Sequence, residues 1–232
     1  ESKKRGRGRV TAYDDDLHQS HSKQMILREE FANTLQNDGL HFHFQPTVDL
    51  VTGRVAGFET LVRWEHPIFG RLSPDTILPL AQELGLMAEL DLAAVRAAIR
   101  TKTQWRNAGH RDLVICINAS AAGLMHPDFA QTLQDMVEEN GLKPGHIAVE
   151  VLETVMFDNS ETAQTQAQTI ARLHDYGFIT LLDDFGIGHA GLSHLAQLEL
   201  SGVKVDRSIV SRVLQDGVSH KILRTIVDLC DD

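Results

Sequence analysis

Apolar residues recur along this chain with two periods, and the period switches repeatedly. Phe42 to Val48 and Val55 to Trp64 read as strands joined by Asp49-Leu50-Val51-Thr52-Gly53, which predicts a β-hairpin. Short apolar runs follow at Leu113–Ile117, Ile147–Val151, Ile179–Leu182 and Val203–Val205, and each predicts a further strand. Between them the spacing turns helical. Leu92, Val95, Ile99 and Trp105 form one apolar stripe closed by Gly109. Phe129, Leu133, Met136 and Val137 form another, ended by Gly141. A third helix, capped by Asn159 or Ser160, runs to Gly177, and a last one covers Val218 to Leu229. Ser73-Pro74-Asp75 is a helix start with Pro at the first helical position. Ahead of the hairpin, Met25, Leu27, Phe31 and Leu35 predict a helix over 19–38 with Gly39 as its stop. Its many charges suggest a connector, with the main domain beginning near Leu40.

Alternating strands and helices with nearly continuous apolar strands predict a parallel sheet covered by helices. The polar residues inside those strands are informative. Glu59 interrupts the second strand, and Asn118, Glu150, Asp183-Asp184 and Asp206 fall at strand ends. Lys204 lies within one. A TIM-like (β/α)8 barrel gathers such residues at the C-terminal ends of its strands. A doubly wound sheet usually carries a glycine-rich phosphate loop after its first strand, and none is present. The barrel is therefore favoured. Only six strands are predicted, and the stretch from Leu40 to Asp232 is shorter than the ~250 residues typical of such barrels. The expectation is a barrel lacking its last strands, from a chain cut out of a longer protein.

Asp183-Asp184 raises a question of charge. Adjacent carboxylates at the end of a buried strand repel one another and are costly to desolvate. A bound divalent cation relieves both costs; a solvated Asp-Asp turn is the plainer alternative. Composition narrows the setting. The chain has 232 residues, 42% of them hydrophobic and 23% charged, with a net charge of -10. That charge disfavours a nucleic-acid polymer as partner, the basic run Lys3 to Arg9 being a short exception. No apolar stretch is long enough to span a membrane, and the charged N-terminus is no secretory signal. Cys116 and Cys230 form no CxxC pair, which fits a reducing cytoplasm. His41 and His43 alternate with Phe42 and Phe44 and are expected to be exposed strand residues.

Several motifs then occur in a particular order. Gln45-Pro46 is followed by Glu59-Thr60-Leu61-Val62-Arg63-Trp64, His66-Pro67 and Ser73-Pro74. Asn118-Ala119-Ser120, Glu150-Val151-Leu152-Glu153, Asp183-Asp184-Phe185-Gly186 and Lys204-Val205-Asp206 come after them. Together they resemble the QP, ExLxR, NxS, ExTE, DDFG and KxD motifs of the EAL domains, the cyclic di-GMP phosphodiesterases. The resemblance covers about Phe42 to the chain end. Lys3 to Val10 with Tyr13-Asp14 is similar to the end of a GGDEF diguanylate cyclase domain. This implies a GGDEF-like remnant over 1–18, a linker helix over 19–39 and an EAL domain over 40–232, whose first strand is antiparallel.

The resemblance implies hydrolysis of cyclic di-GMP to the linear dinucleotide pGpG, with Mg²⁺ or Mn²⁺ in a two-metal site. Glu59, Asn118, Glu150 and Asp183 match the family's first-metal ligands, and Asp183 with Asp184 its second-metal ligands. Lys204 matches the lysine that orients the attacking water, with Asp206 near it. Glu153 matches the glutamate that holds the loop after DDFG. Gln45, Leu61 and Arg63 match residues lining the dinucleotide site. A homodimer is implied as well. The chain departs from the pattern at Thr60, Gln82, Leu152 and most of all Ile187-Gly188-His189-Ala190-Gly191-Leu192, where hydroxyl side chains are replaced. The family's further glutamate and glutamine have no counterparts before Asp232. A catalytically weak domain acting as a cyclic di-GMP receptor is the alternative.

Overall fold

The computed structural model describes residues 15–152, 161–186 and 198–230, with side chains from His21 onward. Glu153 and the off-pattern stretch 187–192 lie outside the described residues. The chain begins with α1 (Asp15–Gln36) and then forms the antiparallel pair β1 (His41–Val48) and β2 (Val55–His66). Asp49 holds the turn between them. Its Oδ1 accepts from Thr52 N at 2.6 Å and from Thr52 Oγ1 at 2.7 Å, while Gly53 takes the left-handed φ of 67° that closes the loop. β3 (Gly70–Leu72) folds back on the end of β2. At three residues it is too short to show a period, so the sequence pattern does not reveal it.

The chain continues through α2 (Pro74–Leu84), α3 (Met87–Asn107), β4 (Val114–Ala119), α4 (Ala121–Met125), α5 (Phe129–Glu139) and β5 (Ile147–Leu152). It then runs through α6 (Glu161–Asp175), β6 (Ile179–Phe185), β7 (Gly202–Val205), α7 (Arg207–Val210) and α8 (Gly217–Cys230). The main sheet has the order β1-β2-β4-β5-β6-β7. β1 is antiparallel to β2, and every pair from β2 to β7 is parallel. This is the expected strand–helix plan with its antiparallel first strand. Among the described residues β1 and β7 are the two edges, and the sheet does not close into a ring. No described helix is long and apolar enough to cross a membrane.

One face of the sheet is packed against helices. Ile115, Ile117, Val149, Val151 and Leu182 meet Val95, Ala98 and Ile99 of α3, Phe129 and Leu133 of α5, and Ile170 and Leu173 of α6 in one buried cluster. A second cluster joins α1 and α2 to β2 through Leu27, Phe31, Leu35, Trp64 and Ile77. Here the sequence reading needs correction. α1 starts at Asp15, before the expected Gln19, and its second half is docked, with Phe31 and Trp64 at a ring distance of 5.6 Å. Leu27, Phe31 and Leu35 recur every fourth residue on one stripe, whereas Met25 falls off it and is 54% exposed.

Candidate active site

Strand alternation sends successive side chains to opposite faces. The face away from the packed helices carries Gln45 of β1, Glu59, Leu61 and Arg63 of β2, and Cys116 and Asn118 of β4. Glu150 of β5, Asp183 of β6 and Lys204 of β7 complete it. Ladder register sets them side by side: Gln45 pairs with Glu59, Glu59 with Cys116, Asn118 with Glu150, and Leu152 with Asp183.

Lys204 is the centre of the cluster. Its Nζ lies 2.7 Å from Glu150 Oε2, 3.2 Å from Asp183 Oδ1 and 3.4 Å from Glu59 Oε2. Asn118 Nδ2 donates to the other oxygen of Glu59 at 3.3 Å. Burial opposes the charge on Lys204. The hydrogen bond it donates to Glu150 and the negative charges of Glu150, Glu59 and Asp183 outweigh burial and hold its pKa above the usual lysine range. Glu150 is 2% exposed. Burial pushes its carboxyl up to about 7, against the pull of Lys204 and with the repulsion of Glu59 and Asp183. Cys116 forms part of the same face, and burial, then Glu150, push its thiol up to about 12.

The Asp183-Asp184 pair coincides with a break in pairing. Between Leu182 and Phe185 the register slips: three steps along β6 oppose two along β7, from Val203 to Val205. Such a bulge re-aims side chains that regular pleating would send to opposite faces. Asp184 takes a φ of 55°, uncommon outside glycine, and its N–H donates to Asp183 Oδ1 at 3.0 Å. Its own carboxyl is raised by burial and then by the charges of Asp183 and Asp206.

Among the described residues no three His, Cys, Asp or Glu side chains form a ready metal cage. The donor set nonetheless fits a hard cation. Glu59, Asn118, Glu150 and Asp183 all offer oxygen, and three of them already converge on one positive charge.

A family model described as the EAL domain matches residues 28–232. The chain belongs to the EAL-domain family. MucR of Pseudomonas aeruginosa, named as a bifunctional diguanylate cyclase/cyclic di-GMP phosphodiesterase, is 28% identical over 98% of this chain and 33% of its own length. The cyclic di-GMP phosphodiesterase NbdA of the same organism is 31% identical over 98% of this chain and 29% of its own. The chain thus spans about a third of the length of these relatives. A solved structure of the PaMucR phosphodiesterase in complex with c-di-GMP matches with a TM-score of 0.79 at 30% identity. That match covers 88% of this chain and 81% of that one.

Within this EAL domain the structure gathers Glu59, Asn118, Glu150, Asp183 and Lys204, and sets Gln45 beside Glu59 by register. Leu61 and Arg63 share the face but lie further along β2. Arg63 is four residues from Glu59, roughly 13 Å of extended strand, and its guanidinium donates to Val62 O at 2.7 Å. Asp206 lies against Asp184 at the edge of this cluster. It also caps α7 by accepting from Ser208 N at 2.7 Å, and hydrogen bonds from the Ser208 side chain and then its backbone hold its pKa low. The ion pairs of Lys204 go to the other three acids. Cys116, buried and in register with Glu59, belongs to the floor of the site face.

Sequence reasoning missed Asp91. It is 6% exposed on α3, and its Oδ2 accepts from Ser120 N at 2.9 Å and Ser120 Oγ at 2.6 Å. Burial raises its carboxyl to about 7 against those bonds. A signal existed: Asp91, Val95, Ala98 and Lys102 form one helical stripe, all buried, with a charge at each end.

Proposed function

We propose that this EAL domain hydrolyses cyclic di-GMP to linear pGpG. The observation that carries the proposal is the convergence of Glu59, Glu150 and Asp183 on Lys204, with Asn118 on Glu59. The named activities of MucR and NbdA support it. Glu59, Asn118, Glu150 and Asp183 would hold Mg²⁺ or Mn²⁺, with Asp183 and Asp184 contributing to a second ion. When bound, such ions polarise the phosphoryl oxygen and acidify water.

The remaining work belongs to the chain. Water adds to one phosphorus, the P–O3′ bond breaks, and the leaving oxygen takes up a proton. Lys204, cationic at neutral pH, offsets the charge that grows on the phosphate and orients the attacking water. The carboxylates set the field in which that water loses its proton. Arg63 offers a planar fork suited to a phosphate or a guanine edge, and Gln45 and Leu61 line the dinucleotide. The spread from Glu59 to Arg63 suits a ligand longer than one phosphate. A GGDEF-like neighbour ahead of the helix and assembly as a homodimer accompany the proposal.

The test is incubation of the full-length protein with cyclic di-GMP and either Mg²⁺ or Mn²⁺, with chromatography of the nucleotides. The expected product is pGpG. Tight binding without product in both metals would replace the proposal with the receptor reading, for which the substituted residues Ile187, His189 and Ala190 speak.

A further inference from the structure

Asn118 is the least secured member of the cluster. Its side chain is exposed, and its hydrogen bond to Glu59 is long at 3.3 Å. The β4–β5 ladder ends one residue later, at Ala119 opposite Val151. Beyond that point the backbone leaves the sheet, and the next tie is to α3. Ser120 N–H and Ser120 Oγ both donate to Asp91 Oδ2. Ser120 Oγ in turn accepts from Gly123 N at 3.1 Å and starts α4. The turn is pressed onto the carboxylate: a Cβ at Gly123 would stand 2.3 Å from Asp91 Oδ2, so that a side chain there would force the carboxylate or the turn to shift. α6 steadies the far side, with Thr169 Oγ1 donating to Leu124 O at 2.8 Å and Gln166 Nε2 to Ala121 O at 3.3 Å.

We propose that Asp91 is a positioning residue for Asn118, anchoring the exit of β4 through Ser120 so that the Asn118 carboxamide is held toward Glu59. The inference rests on the reading of Asn118 as a metal ligand. It assigns a function to a buried carboxylate that touches none of the reacting groups. A carboxylate kept in an apolar helix stripe is expensive to bury, and its two donors both belong to the residue that ends the Asn118-Ala119-Ser120 segment. A neutral core residue would fill the space without taking hold of that segment.

The experiment is Mn²⁺ binding to the full-length protein in the absence of nucleotide, followed by calorimetry or by the Mn²⁺ spin-resonance signal. Four proteins are compared: wild type, Asn118→Ala, Asp91→Asn, and the double variant. Asp91→Asn should weaken Mn²⁺ binding about 10- to 100-fold while unfolding stays cooperative. In the Asn118→Ala background the same change should add less than about 2-fold, because the two residues act through one group. Ser120→Ala removes one arm of the anchor and should weaken binding several-fold, which keeps the question open to test if Asp91→Asn does not fold. Unchanged Mn²⁺ affinity in Asp91→Asn, or an equal loss in both backgrounds, would overturn the positioning role alone. Unchanged affinity in Asn118→Ala would instead remove the ligand assignment on which it rests.

Discussion

The two faces of this sheet bury polar groups in opposite ways. On the helix-covered face the packing is mostly apolar; the buried Thr180 there is hydrogen-bonded to Glu199 O, whereas Thr60 is a misfit. It is 4% exposed, and its hydroxyl has no hydrogen-bond partner among the described residues. On the other face Glu150 is buried as deeply, yet Lys204, Glu59 and Asp183 surround it. The strands are the same; only the parity of the position differs. One face is built for volume and tolerates a small polar error. The other is built around charge, where each group is held by its neighbours.

The sharpest way to break that contrast is Lys204→Met. It leaves three acids facing one another, and turnover of cyclic di-GMP should fall by about 10³-fold or more, in the range of losing a principal electrostatic group. Steady-state kinetics on the folded variant measure this, and a loss under 10-fold would mean the cation is not the centre of the site.

Next in size is a pH effect from Asp91. Its folded carboxyl titrates near 7 against an ordinary 3.8, so the folded chain keeps a proton that the unfolded chain has lost. Its stabilising contribution is full below the unfolded value and disappears as pH rises through the folded one. Unfolding free energy in chelator should therefore drop between pH 4 and pH 7, by about 4 kcal/mol at most from this group. Urea titrations across that range should show the drop, and Asp91→Asn should flatten it. Glu150 is raised in the same direction and leaves a residual slope in the variant.

Ile117→Val probes the packed face. It should cost about 1 kcal/mol of stability by urea unfolding and leave kcat unaltered. Smallest is Thr60→Val, which removes the unpartnered hydroxyl at nearly constant shape. A gain of up to about 1 kcal/mol is expected. A loss of similar size would show that the hydroxyl has a partner after all.

Most of the site was legible in sequence because its residues are anomalous where they stand. An acid or a lysine inside an apolar strand run is expensive, so Glu59, Glu150, Asp183 and Lys204 marked themselves. The strand–helix plan was legible for a related reason: the apolar period changes sharply at each boundary. Asp206 shows the limit. A carboxylate that ends a strand and begins a helix reads in sequence as either a cap or a site group, and Asp206 caps Ser208 N while lying against Asp184. Asp91 and Lys102 were hidden by the helical period itself, since counting apolar positions skips the charged residues that share their stripe. Lys102 donates to Arg111 O and Leu113 O at the opposite end of α3, a backbone tie that no motif encodes. The docking of α1 escaped notice because three buried residues on a charged helix are outweighed in any average.

The central claim is that the carboxylate cluster around Lys204 hydrolyses a cyclic dinucleotide. Conversion of cyclic di-GMP in Mn²⁺ by the full-length protein, beside its Glu59→Ala variant, tests it most directly. The account predicts steady accumulation of pGpG from the wild type and none above background from the variant. An absence of pGpG from the wild type, or equal rates from the two proteins, would contradict it.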